Sequence, residues 1–182
     1  MRARVGCLLA LGLLAGCAAD SPNRYYDLSA VGPAFAPRTG GQGGRLHLAA
    51  LSLPLAVDRP QLVERTGPNS IAIKEFDRWA EPLDRMAQRV LAQDLALRSG
   101  LAAAGSPDLP VYVAVDEFIA GRDGQARLSG RWWTRASIDD RAPPQAHAFS
   151  FVEPVEHNKA EGQEAAALSR LLARLADEIA RD

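Results

Sequence analysis

The chain reads as an α+β domain, a largely antiparallel sheet with two helices packed on one face. Three observations carry that expectation. Segments of period-two alternation come as a group of four and then a group of three; each group is followed by apolar residues spaced three and four apart; clusters of Gly, Pro and Asn separate them. The predicted order is four strands, a helix, three strands and a helix, in a single domain over residues 25–182. A domain of that size buries roughly 70% of the surface its unfolded chain exposes, so one core suffices without disulfide staples.

Residues 1–16 precede the domain and have the pattern of a cleaved export signal. Arg2 and Arg4 form a basic start, an apolar run extends from Val5 to Leu14, and the small residues Ala15 and Gly16 follow. The run is too short for a membrane span, which needs about 20 apolar residues. Leu14-Ala15-Gly16-Cys17 resembles the bacterial lipobox, which implies that Cys17 is acylated, becomes the first mature residue and carries a second acylated group on its new amino terminus. Several chains on one residue make a stable anchor, since each buried methylene contributes about 0.8 kcal/mol. The alternative is an ordinary secretory signal in which Cys17 is a chance small residue. Residues 17–24 are then a lipidated tether, and the seven residues after Cys17 span at most about 25 Å.

Tyr25-Tyr26-Asp27-Leu28 is predicted as a short first strand, followed by a Gly/Pro-rich loop from Gly32 to Gly44. Leu46, Leu48 and Ala50 alternate in a second strand ended by Pro54. Residues 61–65 and 70–76 read as a hairpin across Thr66-Gly67-Pro68-Asn69, with Ile71 and Ile73 on one face and Ala72, Lys74 and Phe76 on the other. A helix over residues 81–101 tolerates Pro82 in its first turn and presents Leu83, Met86, Ala87, Val90, Leu97 and Leu101 as one stripe. Asp94 interrupts the stripe and is placed at a solvent-facing edge, because unpaired buried carboxylates are rare. Gly100, Gly105, Pro107 and Pro110 stop the helix.

Val111, Val113, Val115 and Ile119 are assigned to one strand face, Asp123-Gly124 to a two-residue turn, and Leu128, Gly130 and Trp132 to the returning face, with Trp133 opposite. After Pro143-Pro144 a third strand covers residues 146–152 with Phe149 and Phe151 on one side. The final helix, over residues 160–180, is expected to start at a capping box of Asn158 and Glu161 and to bury Leu168, Leu172, Leu175, Ala176 and Ile179.

Composition narrows the function. The formal net charge is -1, and the arginines are scattered among acids, which argues against nucleic acid and a polybasic membrane patch. The two cysteines, Cys7 in the signal and Cys17, leave the mature domain no thiol to pair. His47, His147 and His157 have no metal-site spacing, and no cofactor motif appears. The adjacent pairs Asp116-Glu117 and Asp139-Asp140 would split across strand faces instead of converging on a substrate, so the reading is non-enzymatic.

The most specific strings lie elsewhere. Tyr25-Tyr26-x-Leu28, Leu53-Pro54, Asp58-Arg59-Pro60-Gln61-Leu62-Val63-x-Arg65, Phe76-x-Arg78-Trp79-Ala80-Glu81-Pro82-Leu83, Gly124-Gln125-Ala126-Arg127-Leu128 and Ala167-Leu168-Ser169 together span nearly the whole mature chain. In these the sequence strongly resembles the ABC-type transport auxiliary lipoproteins, the PqiC-like family, from which the long loop at residues 32–44 is the main departure. The resemblance implies a periplasm-facing lipoprotein that works with an MCE-domain protein and inner-membrane transporter subunits to move lipids between membranes. Ala18 after the acylated cysteine, where aspartate would retain a lipoprotein in the inner membrane, resembles the outer-membrane class. Homo-oligomerisation is left open.

Arg59, Gln61, Arg65 and Arg78 are the candidate partner contacts, with bracing of their loop through backbone carbonyls as the competing role. Trp79 is read foremost as a packing anchor at the helix entry. Three functions remain: an adaptor in a lipid-transport assembly, a structural or assembly lipoprotein of the envelope, and a lipid-modifying enzyme with an unrecognised site.

Overall fold

The computed structural model describes residues 22–32, 45–99, 108–135, 145–156 and 162–182. The signal, Cys17, the loop at 33–44, the helix stop at Gly100, Leu101, Gly105 and Pro107, the Asp139-Asp140 and Pro143-Pro144 pairs, His157, and the capping residues Asn158 and Glu161 lie outside the described residues. Within them the strands are β1 (Arg24–Tyr26), β2 (Arg45–Ser52), β3 (Gln61–Gly67), β4 (Ser70–Trp79), β5 (Asp108–Gly121), β6 (Gln125–Thr134) and β7 (His147–Pro154). Helix α1 (Leu83–Ser99) follows β4 and α2 (Gln163–Ile179) follows β7, the order read from the periodicity.

The strands form one sheet in the order β1-β4-β3-β5-β6-β7, with β2 also on β5. The long ladders β3–β4, β5–β6 and β6–β7 are antiparallel, as expected of hairpins. The sheet as a whole is mixed, because β1 on β4, β2 on β5 and β3 on β5 are parallel. Parallel neighbours need a crossover, and α1 supplies it between the first strands and β5.

Bulges in β2 and β5 shift the strand faces from simple alternation, and the β3–β4 ladder slips as well, between Gln61 and Val63 and between Arg65 and Gly67. In β2 the register slips between Leu48 and Ala50, so Leu51 is buried and Ala50 is exposed. In β5 it slips between Val115 and Glu117, so Phe118 opposes Leu128 and continues the core row of Val111, Val113 and Val115; Ile119 opposes Arg127 on the other face. Gly130 makes the second bulge possible. A Cβ there would lie 2.2 Å from the Ala114 carbonyl oxygen and 2.9 Å from the Phe149 ring.

Trp132 and Trp133 lie on opposite faces. Trp132 is buried beneath α2, stacks on His147 at 4.4 Å and donates from Nε1 to Glu178 at 3.4 Å. Trp133 stacks on Tyr112 at 5.8 Å. The β5–β6 turn uses three residues instead of two. Gly124 N–H donates to the Gly121 carbonyl at 3.1 Å, and Gly124 takes φ 78°, a left-handed value that costs glycine no Cβ clash.

Helix α1 corrects two expectations. Leu97 is exposed, while Leu91 and Leu95 join the core. Asp94 is completely buried, because Arg98 one turn on accompanies it. Arg98 Nη1 donates to Asp94 Oδ1 at 3.2 Å, and Arg98 Nε donates to Asp177 Oδ1 on α2 at 2.5 Å. The chain after β1 closes the cluster: Val31 N–H donates to Asp94 Oδ1 at 2.9 Å, and Arg98 Nη1 donates to Val31 O at 3.1 Å. Upstream, Ser29 N–H donates to Ser169 Oγ at 3.1 Å and Leu28 is fully buried. This strap ties the domain's N-terminal segment to both helices. Helix α2 starts after Gly162, whose carbonyl accepts from Ala166 N–H at 2.9 Å, with no side-chain cap.

Candidate functional site

Four of the five sequence-derived contact residues meet at one end of the β3–β4 hairpin. Residues 54–60 form a tight turn in which Val57 N–H and Asp58 N–H both donate to Pro54 O, at 3.0 and 3.2 Å, and Val57 is buried. Leu55 is thereby pushed out to 89% exposure. The turn is tied down where Trp79 N–H donates to Pro60 O at 2.8 Å, and Ala80 N–H donates to Tyr26 O at 2.9 Å. Gln61 is the register partner of Arg78, and Arg78 that of Tyr25.

Strand alternation then sorts the side chains. Trp79 points into the core and is 6% exposed, which is the packing role expected of it. Arg78, Tyr25 and Gln61 form a cross-strand row on the opposite face, with Tyr25 64% exposed. Arg78 Nε reaches Asn23 Oδ1 at 3.4 Å, on the segment leading into β1. Arg59 is half-buried on the neighbouring turn, and its Nε is buried with no acceptor among the described residues. Tyr25 and Leu55 belong to this surface although the sequence marked neither as a contact; exposure of a tyrosine on a three-residue edge strand depends on what pairs beside it.

On the helix-side face of the same strands, Arg24 Nε pairs with Asp77 Oδ1 at 2.7 Å, and Tyr26 Oη donates to the same oxygen at 3.2 Å. These contacts fasten β1 to β4 beneath the row.

Arg65 is separated from this group. Four residues along β3 from Gln61, about 13 Å away, it pairs with Glu117 at 2.9 Å and donates to Pro68 O at 3.3 Å. It braces the hairpin tip, the competing role considered for these arginines. Around it lies an open groove of about 680 Å³, which Asp116, Glu117, Asp123, Arg127 and Ser129 also line. The β5 bulge brings Asp116 and Glu117 to this one groove, where regular alternation would have split them. Arg127 donates to Asp123 and holds its carboxyl below the usual range, chiefly through that hydrogen bond. The groove's charges are thus largely paired with one another.

A family model described as an ABC-type transport auxiliary lipoprotein component matches residues 26–180. This chain belongs to that family. Among solved structures, an uncharacterized protein superposes with a TM-score of 0.68 at 19% identity, over 88% of this auxiliary lipoprotein and 97% of its own chain. Protein XCC0632 from Xanthomonas campestris superposes with a TM-score of 0.64 at 18% identity, over 86% and 91% of the two chains. At these identities the likeness concerns the fold. No curated protein matches the chain.

The auxiliary lipoprotein's described residues contain no cluster of three His, Cys, Asp or Glu side chains able to hold a metal ion. No helix among them is long and apolar enough to cross a membrane. What the site offers is a surface of arginine, tyrosine, glutamine and leucine around the edge strand β1.

Proposed function

We propose that this auxiliary lipoprotein is a non-catalytic adaptor of an MCE-type, Pqi-like intermembrane lipid-transport system, held at the periplasmic face of the outer membrane by acylated Cys17. The observation that carries the reading is the position of the Tyr25–Arg78–Gln61 row. It lies on β1 and its neighbours, and β1 begins at Arg24, seven residues after Cys17. A tether of at most about 25 Å keeps this row close to the bilayer, where an MCE-domain protein spanning the periplasm would meet it. Arg59, Gln61, Arg78 and Tyr25 make the contact, while Trp79 and the 54–60 turn hold them in place. Arginine and tyrosine are the residue types that dominate desolvated protein interfaces.

The test is capture of the MCE-domain partner by the full lipoprotein in detergent. Arg59→Glu and Tyr25→Ala should each weaken capture at least tenfold while leaving the thermal midpoint in place, since neither side chain holds the core. Arg65→Glu should instead lower the midpoint, because it sets two carboxylates side by side at the hairpin tip. Full capture by a folded Arg59→Glu, Tyr25→Ala double variant removes the row from consideration. If the unaltered protein captures no MCE-domain partner, the structural-lipoprotein reading takes its place. Fractionation with inner-membrane markers would overturn the outer-membrane assignment, which rests on Ala18.

A further inference from the structure

Among the described residues the large apolar side chains at the surface are 43–64% exposed, except Leu55, which is 89% exposed. A lone exposed leucine on a loop means little. Leu55, however, sits on a turn whose hydrogen bonds hold it out. Val57 N–H and Asp58 N–H share the Pro54 carbonyl, Arg59 N–H donates to Val57 O at 2.9 Å, and Val57 is sunk in the core at 7% exposure. Ala56 beside Leu55 is exposed as well, and residues 52–57 carry no charge, so the crest of the turn is both fixed and apolar.

Positive charge lies at the foot of this crest. Among the described residues neither Arg59 nor Arg78 pairs with a carboxylate, whereas Arg65, Arg89 and Arg98 each do. Arg59 Nε is buried without an acceptor among them, so that guanidinium retains an unused donor. A protruding apolar crest bordered by uncompensated arginine suits a phospholipid surface, where the apolar side chains leave water and the guanidinium meets phosphate oxygens.

We propose that the 54–60 turn rests in the headgroup layer of the bilayer that holds the Cys17 lipid, with Leu55 and Ala56 at its lowest point and Arg59 on phosphate oxygens. This rests on the acyl-anchor reading of Cys17. The tether selects the occupant. Trp79 N–H donates to Pro60 O, and Trp79 is the register partner of Tyr26, so the turn is fastened to the neighbour of the strand that begins seven residues after Cys17. A tether of at most about 25 Å keeps the turn near the bilayer, where a contact too weak to recruit a free protein becomes persistent. Asp58 and Arg59 end the apolar crest, which limits insertion to headgroup depth, where water still reaches the polar backbone of the turn. Docking of this kind sets which end of the sheet faces the membrane and leaves the Tyr25–Arg78–Gln61 row beside the bilayer, open to a partner.

The test uses the acylated full-length protein in vesicles of phosphatidylethanolamine and phosphatidylglycerol. Cys7 leaves with the signal and the Cys17 sulfur is blocked by lipid, so Leu55→Cys supplies the single free thiol for an environment-sensitive fluorophore. Ser150→Cys, exposed on β7 at the opposite edge of the sheet, is the control. A lipid carrying a spin label near its headgroup should quench the Leu55 label several times more than the Ser150 label, and Arg59→Glu should shrink that difference. Equal quenching at the two sites would overturn the proposal, as would a Leu55 label that leaves water only when the MCE-domain partner is added; quenching untouched by Arg59→Glu would overturn the phosphate contact. The intact mass of the same sample reads the anchor. A chain without lipid overturns the acyl-anchor reading and the docking with it, whereas a lipidated chain with an unquenched Leu55 label overturns the docking alone.

Discussion

Asp94→Asn is the perturbation that most directly tests how the strap is held. Asp94 is fully buried, its Oδ2 has no partner among the described residues, and the cluster sets two carboxylates, Asp94 and Asp177, against the single guanidinium of Arg98. Burial pushes the Asp94 carboxyl up to about 6 from 3.8, against the opposing pull of the Val31 amide and Arg98. A native pKa above the unfolded one means that the folded state binds the proton more tightly. The associated stability is therefore fully present below about pH 3.8 and is lost as pH rises through about 6. A shift of this size corresponds to about 3 kcal/mol, a large part of the 5–15 kcal/mol typical of a domain. Asparagine keeps the Oδ1 acceptor for Val31 N–H but cannot titrate. Urea unfolding of both proteins from pH 4 to 7.5 should show the native chain losing up to about 3 kcal/mol relative to Asp94→Asn across that window. Parallel pH profiles, or a native advantage that grows with pH, would refute the reasoning, because they would mean that Arg98 holds Asp94 comfortably ionised.

Gly130→Ala should destabilise the domain by about 1–3 kcal/mol, the range for overpacking a tight site, since the new Cβ meets the Ala114 carbonyl oxygen at 2.2 Å; an unchanged denaturation midpoint would argue against the bulge. Val115→Asp, at a site 6% exposed on the core row, should cost several kcal/mol and leave little folded protein, as circular dichroism would report. Cys17→Ala should abolish incorporation of an acyl-chain probe during metabolic labelling, because the first lipid has no other thiol at the cleavage site to join; a labelled variant would end the lipoprotein assignment of that residue.

The candidate surface was partly legible in the sequence. The strings around Arg59, Gln61, Arg78 and Trp79 stood out, and the hairpin register and the Trp79 N–H to Pro60 O bond bring those four residues to one end of the sheet. Arg65 belonged to the same string but lies at the hairpin's far end, because an extended strand carries residues four apart well beyond mutual contact. Tyr25 and Leu55 joined the surface through pairing and turn geometry, which residue type does not announce.

What the amino-acid sequence determined by itself was local: nine elements in order, the β3–β4 hairpin, the opposed faces of Trp132 and Trp133, and the buried stripe of α2. Each follows from side-chain period and breaker residues within a few positions. Tertiary structure decided what depends on distant partners. The parallel placements of β1, β2 and β3 join segments with little sequence preference for one neighbour over another, and they are settled by which arrangement buries the most apolar surface under the helices. The bulges near Ala49 and Asp116 reversed the faces of Ala50 and Ile119, since one extra residue flips every side chain after it. Asp94 was misread for the same reason. A buried carboxylate is expelled when alone, and only the fold brings the Val31 amide to the Arg98–Asp94 pair and makes burial tolerable, with Asp177 competing for the same guanidinium.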